Sequence, residues 1–342
     1  MNKTLVGRKD TAVVICCDAR FLPYALFTCR QIAFRCPKRK FDIVIVTQDA
    51  LQLPDWATAW GVQSCQMGDL DPVVNHLGIK RTLAVINSSI ATMLPITITS
   101  NLEHMYRRVL CFDSDIYFEG GDLDRLMQVD LGPHPLAAVR EVMLCHNPSH
   151  HMPDMKAMGL PRFNYFNSGV MVIDTKAFED QDVARRCWDI AKTHPDTLNF
   201  AGQSCLNGAL MGSYAELAPS WNWCSSTTHP LLTLSYPVHI HHFAGSAKPN
   251  TTSKRRVEAR FRSAYEDFFR LHARPAKDTP AGTLNRADIL DRRFAIRAGT
   301  LAGSQGNLGG YSPVQRFLGR KALTGASLGI TSLATHVIRT AA

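Results

Sequence analysis

The sequence predicts an α/β fold in which helices cover both faces of a largely parallel sheet. Short apolar runs rich in β-branched residues, at 11–17, 41–47 and 108–112, are typical of buried parallel strands. Segments with helical spacing lie between such runs, and this alternation is the pattern of a doubly wound sheet. A hydrophobic content of 45% in 342 residues is ordinary for a globular protein and argues against general disorder.

Helices and one further strand are predicted between these runs. We expect a helix over 21–34, directly after the first strand, and a short strand over 62–65. Residues 79–101 also have helical spacing, but Pro95 falls inside this segment. Because proline lacks the N–H that an interior helical position donates, Pro95 predicts a break there.

The second half of the chain continues the alternation without internal repeats. Strands are predicted at 136–140, 169–173 and 237–244, and helices at 176–194 and 203–211. In open α/β sheets, ligands bind outside the carboxyl ends of the strands. Polar residues at strand ends are therefore the first candidates for a functional site.

Charge and composition change after Pro249. Residues 251–342 have a net charge of +10, whereas residues 1–250 have −1. We divide the chain into a main domain over 1–250, a basic helix over 251–274 and a weakly ordered or surface appendage over 275–342. The basic tail predicts either a solvated segment or peripheral contact with an anionic membrane. It has no recognition helix or aromatic platform that would predict nucleic-acid binding.

The sequence also predicts a compartment. No apolar stretch of signal-peptide length follows the first residues, and no run approaches the ~18 apolar residues that span a bilayer. The ten cysteines form no C-x-x-C pair or compact framework, which favours reduced thiols. We expect a cytoplasmic protein that contacts membranes at most peripherally, on the inner face.

The strongest chemical signal is Asp113-Ser114-Asp115, directly after the apolar strand at 108–112. Two carboxylates one residue apart can share a divalent cation where a strand ends in a turn. Mg²⁺ and Mn²⁺ prefer oxygen ligands and bridge carboxylates to phosphates. Acidic turns are common and usually only solvated, but apolar residues on both sides predict that this turn lies deep.

A second cluster contains His239, His241 and His242, followed by Gly245 and Lys248. On a strand, the first two histidines share one face and His242 points the other way. One imidazole can complete a metal site with the two aspartates, and Lys248 can reach a phosphate. Any single histidine taken alone is more often a structural residue.

Three further segments allow a functional and a structural interpretation. A carboxamide in Asn164–Gly169 can bind sugar hydroxyls or cap the local backbone. Gln203 begins a predicted helix and is by itself a weak signal. Trp221 and Trp223 can stack on sugars, but large indoles are more often part of the core.

Five segments, in this order, resemble the family-eight retaining glycosyltransferases, the group that contains glycogenin and bacterial lipopolysaccharide galactosyltransferases. They are VVICCD, RVLCFDSDIYF, YFNSGVMVID, GQSCLNGAL and HFAGSAKP, and they stretch from about residue 12 to 250. The resemblance implies a GT-A nucleotide-diphospho-sugar transferase fold with a Rossmann-like mixed sheet and helices on both faces. It also implies a UDP-sugar donor, a Mn²⁺ (or Mg²⁺) ion, a glycan or lipid-linked glycan acceptor, and retention at the anomeric carbon.

The resemblance also implies roles for single residues. Asp113, Asp115 and His242 match the metal ligands, and Ser114 lies between the two aspartates in the donor site. Asp18 matches the residue that contacts the uracil.

The remaining matches concern the diphosphate and the sugar. Gly245 and Lys248 match diphosphate contacts, and Asn167 and Ser168 match contacts to the donor sugar. Gln203 matches the residue near the anomeric carbon. Gln203 and Asn167 are therefore the candidate catalytic residues.

Four positions depart from the family's pattern. Gly202 replaces an acidic residue before Gln203, and Met93 stands where a basic residue is common. Ala19 and Asn250 replace an acidic and an aromatic residue. Since the lost acidic residue often holds a sugar hydroxyl, the choice between glucose and galactose is left open.

Two other classes compete with a glycosyltransferase. A phosphohydrolase with an aspartate nucleophile would carry its D-x-D after the first strand, whereas here it follows several strands. A catalytically impaired nucleotide-sugar-binding protein of the same fold is favoured by Gly202. No motif specifies the acceptor: lipopolysaccharide or another surface glycan is the family-level expectation, and a protein or glycogen-like acceptor is the open alternative.

Overall fold

The structure is a computed structural model that describes residues 9–67, 90–102, 104–146, 148–224, 237–245, 248–249 and 257–272. The expected appendage at 275–342, and residues 79–89 of the interrupted helix, lie outside this part of the chain. Among the described residues, no helix has both the length and the apolar character needed to cross a membrane.

Seven strands form the main sheet in the order β3-β2-β1-β4-β7-β6-β8. Their bounds are β1 Thr11–Cys16, β2 Asp42–Thr47, β3 Val62–Gln66, β4 Arg108–Phe112, β6 Leu136–Arg140, β7 Phe166–Asp174 and β8 Ala215–Glu216. A smaller sheet has the order β5-β10-β9, with β5 Ile116–Phe118, β9 Trp223–Cys224 and β10 Ile240–His242.

The described helices lie between these strands in chain order. They are α1 Leu22–Arg35, α2 Asp55–Ala59, α3 Leu94–Leu102, α4 Leu123–Leu126, α5 Val142–His146, α6 Pro153–Ala157, α7 Thr175–Asp180, α8 Val183–Thr193, α9 Gly202–Leu210 and α10 Ala259–Leu271. Short 3₁₀ turns occupy Ile90–Met93 and Pro219–Trp221. The mixed α/β architecture with helices and a seven-stranded mixed sheet confirms the predicted fold class.

The parallel centre of the sheet follows from its apolar strands. β1 pairs in parallel with both β2 and β4, and β2 with β3. Side chains alternate between the two faces of β1: Val13 and Ile15 enter one core cluster, while Ala12 and Val14 enter the other. Both faces are thus buried, which explains why the strands have continuous apolar runs instead of alternating ones.

The sheet is mixed, as the resemblance implies, and the parallel arrangement expected from the apolar runs does not extend to β7. This strand lies between β4 and β6 and runs antiparallel to both. An apolar run does not encode strand direction, so the sequence pattern does not reveal this reversal. The β6–β7 register also jumps: Ala138 pairs with Met171, whereas Val139 pairs with Asn167. The extra residues bulge at the edge where β4 ends.

One helix prediction lies partly outside the described residues, and another needs correction. Helix α3 begins at Leu94, directly after the 3₁₀ turn at Ile90–Met93, so Pro95 lies in its first turn, where no intrahelical N–H partner is required. The single helix expected over 176–194 is two helices, because Asp182 adopts a left-handed conformation with φ of 53° between α7 and α8.

Helix α10 packs into the same core as α1. Its buried aromatic face belongs to the core cluster that also contains Tyr24 and Phe27 of α1. The rings of Phe27 and Tyr265 are 4.0 Å apart. The Tyr265 hydroxyl donates to the carbonyl of Ile116 at 2.7 Å. This bond, together with one from the Thr28 hydroxyl to the same carbonyl at 3.1 Å, holds the strand that follows the D-x-D turn.

We expect Tyr265→Phe to lower the free energy of unfolding by about 1 kcal/mol, because a buried hydrogen bond is lost while the ring is kept. Urea unfolding followed by circular dichroism measures the change. The same substitution at the half-buried Tyr117, whose ring centroid lies 6.4 Å from that of Tyr265, is the control and should cost less. Equal stability of Tyr265→Phe and wild type would contradict the proposed importance of this bond.

Candidate functional site

The two aspartates lie where β4 ends at the carboxyl edge of the sheet. The Asp115 side chain is 9% exposed and that of Asp113 is 46% exposed, so one is buried and the other faces outward. The Asp113 N–H donates to the carbonyl of Gly169 at 2.9 Å. Ser114 between them is buried, as the flanking apolar residues predict.

Strand β10 brings His242 to these carboxylates. In the smaller sheet, His242 pairs with Ile116 of β5, the strand that follows the D-x-D turn. Its Nε2 lies 3.4 Å from Asp113 Oδ2 and 3.6 Å from Asp115 Oδ1. One ligand atom from each of these three residues falls within 4.8 Å of the others.

Lys248 adds a cation to the same cluster. Its ammonium forms an ion pair with Asp115 Oδ2 and donates to the Phe243 carbonyl at 2.9 Å. Burial alone would raise the pKa of Asp115, but Lys248 and His242 outweigh it and hold that pKa well below its usual value. Burial likewise opposes a charged His242, yet its hydrogen bonds to Asp113 and Asp115 raise its pKa well above the ordinary value.

The other two histidines lie outside this cluster. His241 Nε2 faces Glu119 at 3.4 Å on the opposite side of β10. Burial, and then the neighbouring Arg260, lower the pKa of His241 to about 4. The His239 ring packs on Trp221 with centroids 4.3 Å apart. The strand alternation predicted from the sequence therefore separates one candidate ligand from two structural histidines.

The bulged segment of β7 places Gly169 against His242. A Cβ on Gly169 would lie 2.3 Å from His242 Cε1 and 2.5 Å from Nδ1. Gly169 does not use the left-handed region that favours glycine. Its lack of a side chain is therefore explained by the space that the imidazole occupies.

We expect Gly169→Ala to weaken Mn²⁺ binding by at least about 10-fold, because the new methyl group must displace the His242 ring. Titration of the purified chain with Mn²⁺, with free ion followed by electron paramagnetic resonance, measures this. His242→Ala sets the lower limit of affinity. Wild-type affinity in Gly169→Ala would show that the ring can move without loss of the ligand.

Gln203 lies at the first turn of α9 with its side chain held on both sides. Its Oε1 accepts from the Ser168 N–H at 2.9 Å and from the Ser168 hydroxyl at 3.3 Å. The side chain also hydrogen-bonds Tyr165, whose hydroxyl donates to the buried carboxylate of Asp154 at 3.0 Å. The structure thus joins Gln203 and Ser168, two residues predicted separately.

The predicted nucleotide contacts lie at loop positions. Asp18 follows β1, and its Oδ1 accepts from the backbone N–H groups of Arg20 at 2.9 Å and Phe21 at 3.0 Å. Gly245 has φ of 78°, and a Cβ there would meet nothing within 4 Å. The uracil and diphosphate contacts implied for these residues stay predictions.

The carboxamide and indole candidates are buried. Asn167 Oδ1 accepts from the Gly169 N–H at 3.0 Å, and its Nδ2 donates to Glu141 at 3.1 Å. Its contact with a donor sugar remains a prediction, since both ends of the amide have protein partners. Trp221 and Trp223 are core residues with 1% and 4% exposure.

Sequence reasoning missed two polar residues in this region, Glu141 and Asn222. Glu141 follows β6 directly, so the strand-end rule that identifies the D-x-D would also have identified it. Asn222 lies between two tryptophans, and its Oδ1 accepts from His242 Nδ1 at 2.9 Å. The sequence does show an asparagine between two tryptophans, and this pattern indicates a carboxamide among large apolar side chains.

The departure at Gly202 has a structural counterpart. A Cβ on Gly202 would lie 2.0 Å from the Thr92 carbonyl oxygen and 3.6 Å from Met93 Cα. The backbone at 92–93 therefore takes the space that an acidic side chain would need. The two departures, Gly202 and Met93, are neighbours in the fold.

The site can hold a divalent cation. Two carboxylate oxygens and one imidazole nitrogen converge on one point, and carboxylates are the ligands that Mg²⁺ and Mn²⁺ favour. The buried ligands, Asp115 and His242, are fixed by neighbours, and the outward Asp113 leaves one side open to solvent. The donor set therefore fits the Mn²⁺ or Mg²⁺ ion implied by the resemblance.

Comparisons with known proteins identify the family. The family model described as "Glycosyl transferase family 8" matches residues 12–251. General stress protein A of Bacillus subtilis (strain 168) is 28% identical over 151 residues, which are 39% of this chain and 50% of that protein. The probable glycosyl transferase Gly of Streptococcus gordonii is 25% identical over 232 residues, which are 65% of this chain and 30% of that protein. The chain therefore spans half or less of these relatives.

A solved structure shares the fold. The galactosyltransferase LgtC, in complex with donor and acceptor sugar analogs, superimposes with a TM-score of 0.58 at 17% identity. The match covers 82% of this chain and 99% of LgtC. At this identity the likeness shows the fold alone.

Proposed function

This chain belongs to glycosyl transferase family 8, and on that premise we propose that it transfers a hexose from a UDP-sugar to a glycan acceptor, with retention at the anomeric carbon. One observation carries the proposal. Asp113, Asp115 and His242 converge at the carboxyl end of β4, with Lys248 beside them. This is the place where open α/β sheets bind ligands, and the charges suit a diphosphate with a cation.

Mn²⁺ or Mg²⁺ is the proposed cofactor, held by Asp113, Asp115 and His242. When bound, it would supply positive charge beside the diphosphate that leaves the sugar. Lys248 would supply further charge, because its side chain is only 12% exposed and its ammonium already forms an ion pair with Asp115. A diphosphate would compete with Asp115 for this ammonium. The open backbone at Gly245 allows phosphate oxygens to approach closely.

The other donor contacts follow the resemblance. Asp18, held by two backbone N–H groups after β1, would bind the uracil. Ser168 and Asn167 would face the donor sugar from the bulge of β7, with Ser114 near the diphosphate. The bulge supports this role because it brings these residues to the end of β4.

Attack on the anomeric carbon is proposed to occur on the face from which the diphosphate leaves. The acceptor oxygen forms the new bond as the bond to UDP breaks, and the acceptor's proton passes to the departing phosphate oxygen. Gln203 is a poor nucleophile, and its carbonyl oxygen, fixed by Ser168, can instead stabilise positive charge on the sugar. A trapped glycosyl adduct on Gln203 would overturn this mechanism.

UDP release tests the function directly. Purified protein is incubated with UDP-glucose or UDP-galactose, with and without Mn²⁺. The expected result is metal-dependent release of UDP from one of the two donors, which would also identify the sugar. Absence of release from both donors, with Mn²⁺-dependent UDP binding intact, would favour the second candidate.

That second candidate is a nucleotide-sugar-binding protein of the same fold that does not turn over. It is favoured by Gly202, where the Thr92 carbonyl fills the position of the family's acidic side chain. Such a protein would keep the metal and diphosphate residues but lose a contact to the sugar. Binding of UDP without release of UDP from a donor distinguishes the two.

The proposed acceptor is a glycan or lipid-linked glycan, with lipopolysaccharide as the family-level choice. A cytoplasmic location, with peripheral contact of the basic tail on the inner face of the membrane, belongs to the same proposal. Flotation with anionic liposomes tests the membrane contact, and failure of the full chain to float would remove it.

A further inference from the structure

A continuous set of buried hydrogen bonds connects Glu141 to His242 through two carboxamides. Asn167 Nδ2 donates to Glu141 Oε2 at 3.1 Å, and Asn222 Nδ2 donates to Asn167 Oδ1 at 2.9 Å. Asn222 Oδ1 lies 2.9 Å from His242 Nδ1. All four side chains are buried, with exposures between 2% and 9%.

The orientation of each amide follows from its neighbours. The Glu141 carboxylate only accepts hydrogen bonds, so the end of Asn167 that faces it must be the NH₂ group. The Gly169 N–H, a backbone donor 3.0 Å from Asn167 Oδ1, imposes the same orientation independently. Asn167 therefore presents its oxygen to Asn222, and the Asn222 NH₂ group must donate to it.

The orientation of Asn222 in turn determines which nitrogen of the His242 imidazole carries the proton. With its NH₂ group directed at Asn167, Asn222 has only its carbonyl oxygen for His242. The His242 Nδ1 must then carry a proton and donate it. The nitrogen left for a cation is Nε2, the one that faces Asp113 and Asp115 at 3.4 and 3.6 Å.

We propose that Asn222 is a positioning residue of the metal centre: it keeps the proton on His242 Nδ1 and so directs the Nε2 lone pair at the cation bound by Asp113 and Asp115. This inference rests on the proposed function, because it assumes a cation at that site. A hydrogen bond from the non-ligating nitrogen fixes the tautomer and ring orientation of a metal-bound histidine. In this chain the acceptor is a carboxamide whose own orientation is set from Glu141.

The test measures Mn²⁺ binding to the purified full-length chain at neutral pH, with free Mn²⁺ followed by electron paramagnetic resonance. Asn222→Ala removes the acceptor, and we expect a loss of about 10- to 100-fold in affinity. Asn222→Asp keeps an acceptor for His242 but sets an oxygen against Asn167 Oδ1 in place of the lost bond, so we expect its affinity to recover to well above that of Asn222→Ala. Rescue by this variant would not follow from a purely structural role.

Two further variants keep the test decisive. Asn222→Leu fills the same volume without an acceptor, and replaces Asn222→Ala should that variant fail to fold. Ser220→Ala, in the same buried turn, is the control and should bind Mn²⁺ like wild type. Wild-type affinity in Asn222→Ala or Asn222→Leu would overturn the inference and leave the proposed function intact. Absence of Mn²⁺ binding by wild type would instead overturn the metal site, and this inference with it.

Discussion

Asp115→Asn is expected to lower the rate of Mn²⁺-dependent UDP release by about 100- to 1,000-fold, the size of effect seen when one electrostatic contact is removed from a buried reaction site. The substitution keeps the shape of the side chain but removes its charge. Asp115 is the buried carboxylate of the cluster, with His242 Nε2 at 3.6 Å and the Lys248 ammonium on its other oxygen. Its loss therefore weakens the cation site and leaves two cationic groups without their shared partner.

The matched control is Asp122→Asn. Asp122 caps α4 by accepting from the Arg125 N–H, and asparagine caps a helix about as well. We expect wild-type UDP release and stability for this variant. UDP release that is undiminished in Asp115→Asn would contradict the assignment of the metal site, provided that the donor sugar is the same in both assays.

Gly202→Ala is expected to lower the free energy of unfolding by more than about 3 kcal/mol, beyond the usual cost of overpacking. The added Cβ would lie 2.0 Å from the Thr92 carbonyl oxygen, a backbone atom that cannot rotate away. The clash is removed only if the 3₁₀ turn at Ile90–Met93 and the start of α9 move apart. Urea unfolding, followed by circular dichroism, measures the loss.

Gly208→Ala is the control on the same helix. A Cβ there would be 3.3 Å from Ile190 Cγ2, the side chain of a neighbouring helix that can shift slightly. Alanine also has a higher helix propensity than glycine by about 1 kcal/mol. We therefore expect little change in stability. An equally small effect at both glycines would mean that the turn at 90–93 can move to make room for a side chain at position 202. An acidic residue would then also fit at that position.

The fold centre and the cation site were predictable from the sequence because both depend on local signals. Apolar runs define β1, β2 and β4, and the D-x-D stands at the end of a buried strand. The alternation of side chains on β10 separates His242 from His241. These features need only a strand period and a strand end, which a sequence displays directly.

The remaining features depend on tertiary contacts. Strand β7 runs antiparallel to β4 and β6, and no local pattern encodes that direction. The break at Asp182 is a left-handed residue inside a segment of uninterrupted helical spacing. The orientation of the Asn222 amide depends on Glu141, which lies 81 positions earlier in the sequence. Such relations appear only when the chain is folded.

The packing of α10 has a consequence for protein synthesis. The carbonyl of Ile116, next to the D-x-D turn, is bonded by Tyr265, a separation of 149 positions. A domain generally folds as a unit, and the ribosome releases the sheet strands of this chain before α10. Until α10 has emerged, the aromatic face of α1 lacks the rings that pack on it, and the carbonyl of Ile116 has the Thr28 hydroxyl but not that of Tyr265. A nascent chain halted near residue 250 would already contain every proposed cation ligand and would still expose an aromatic surface for chaperones to bind.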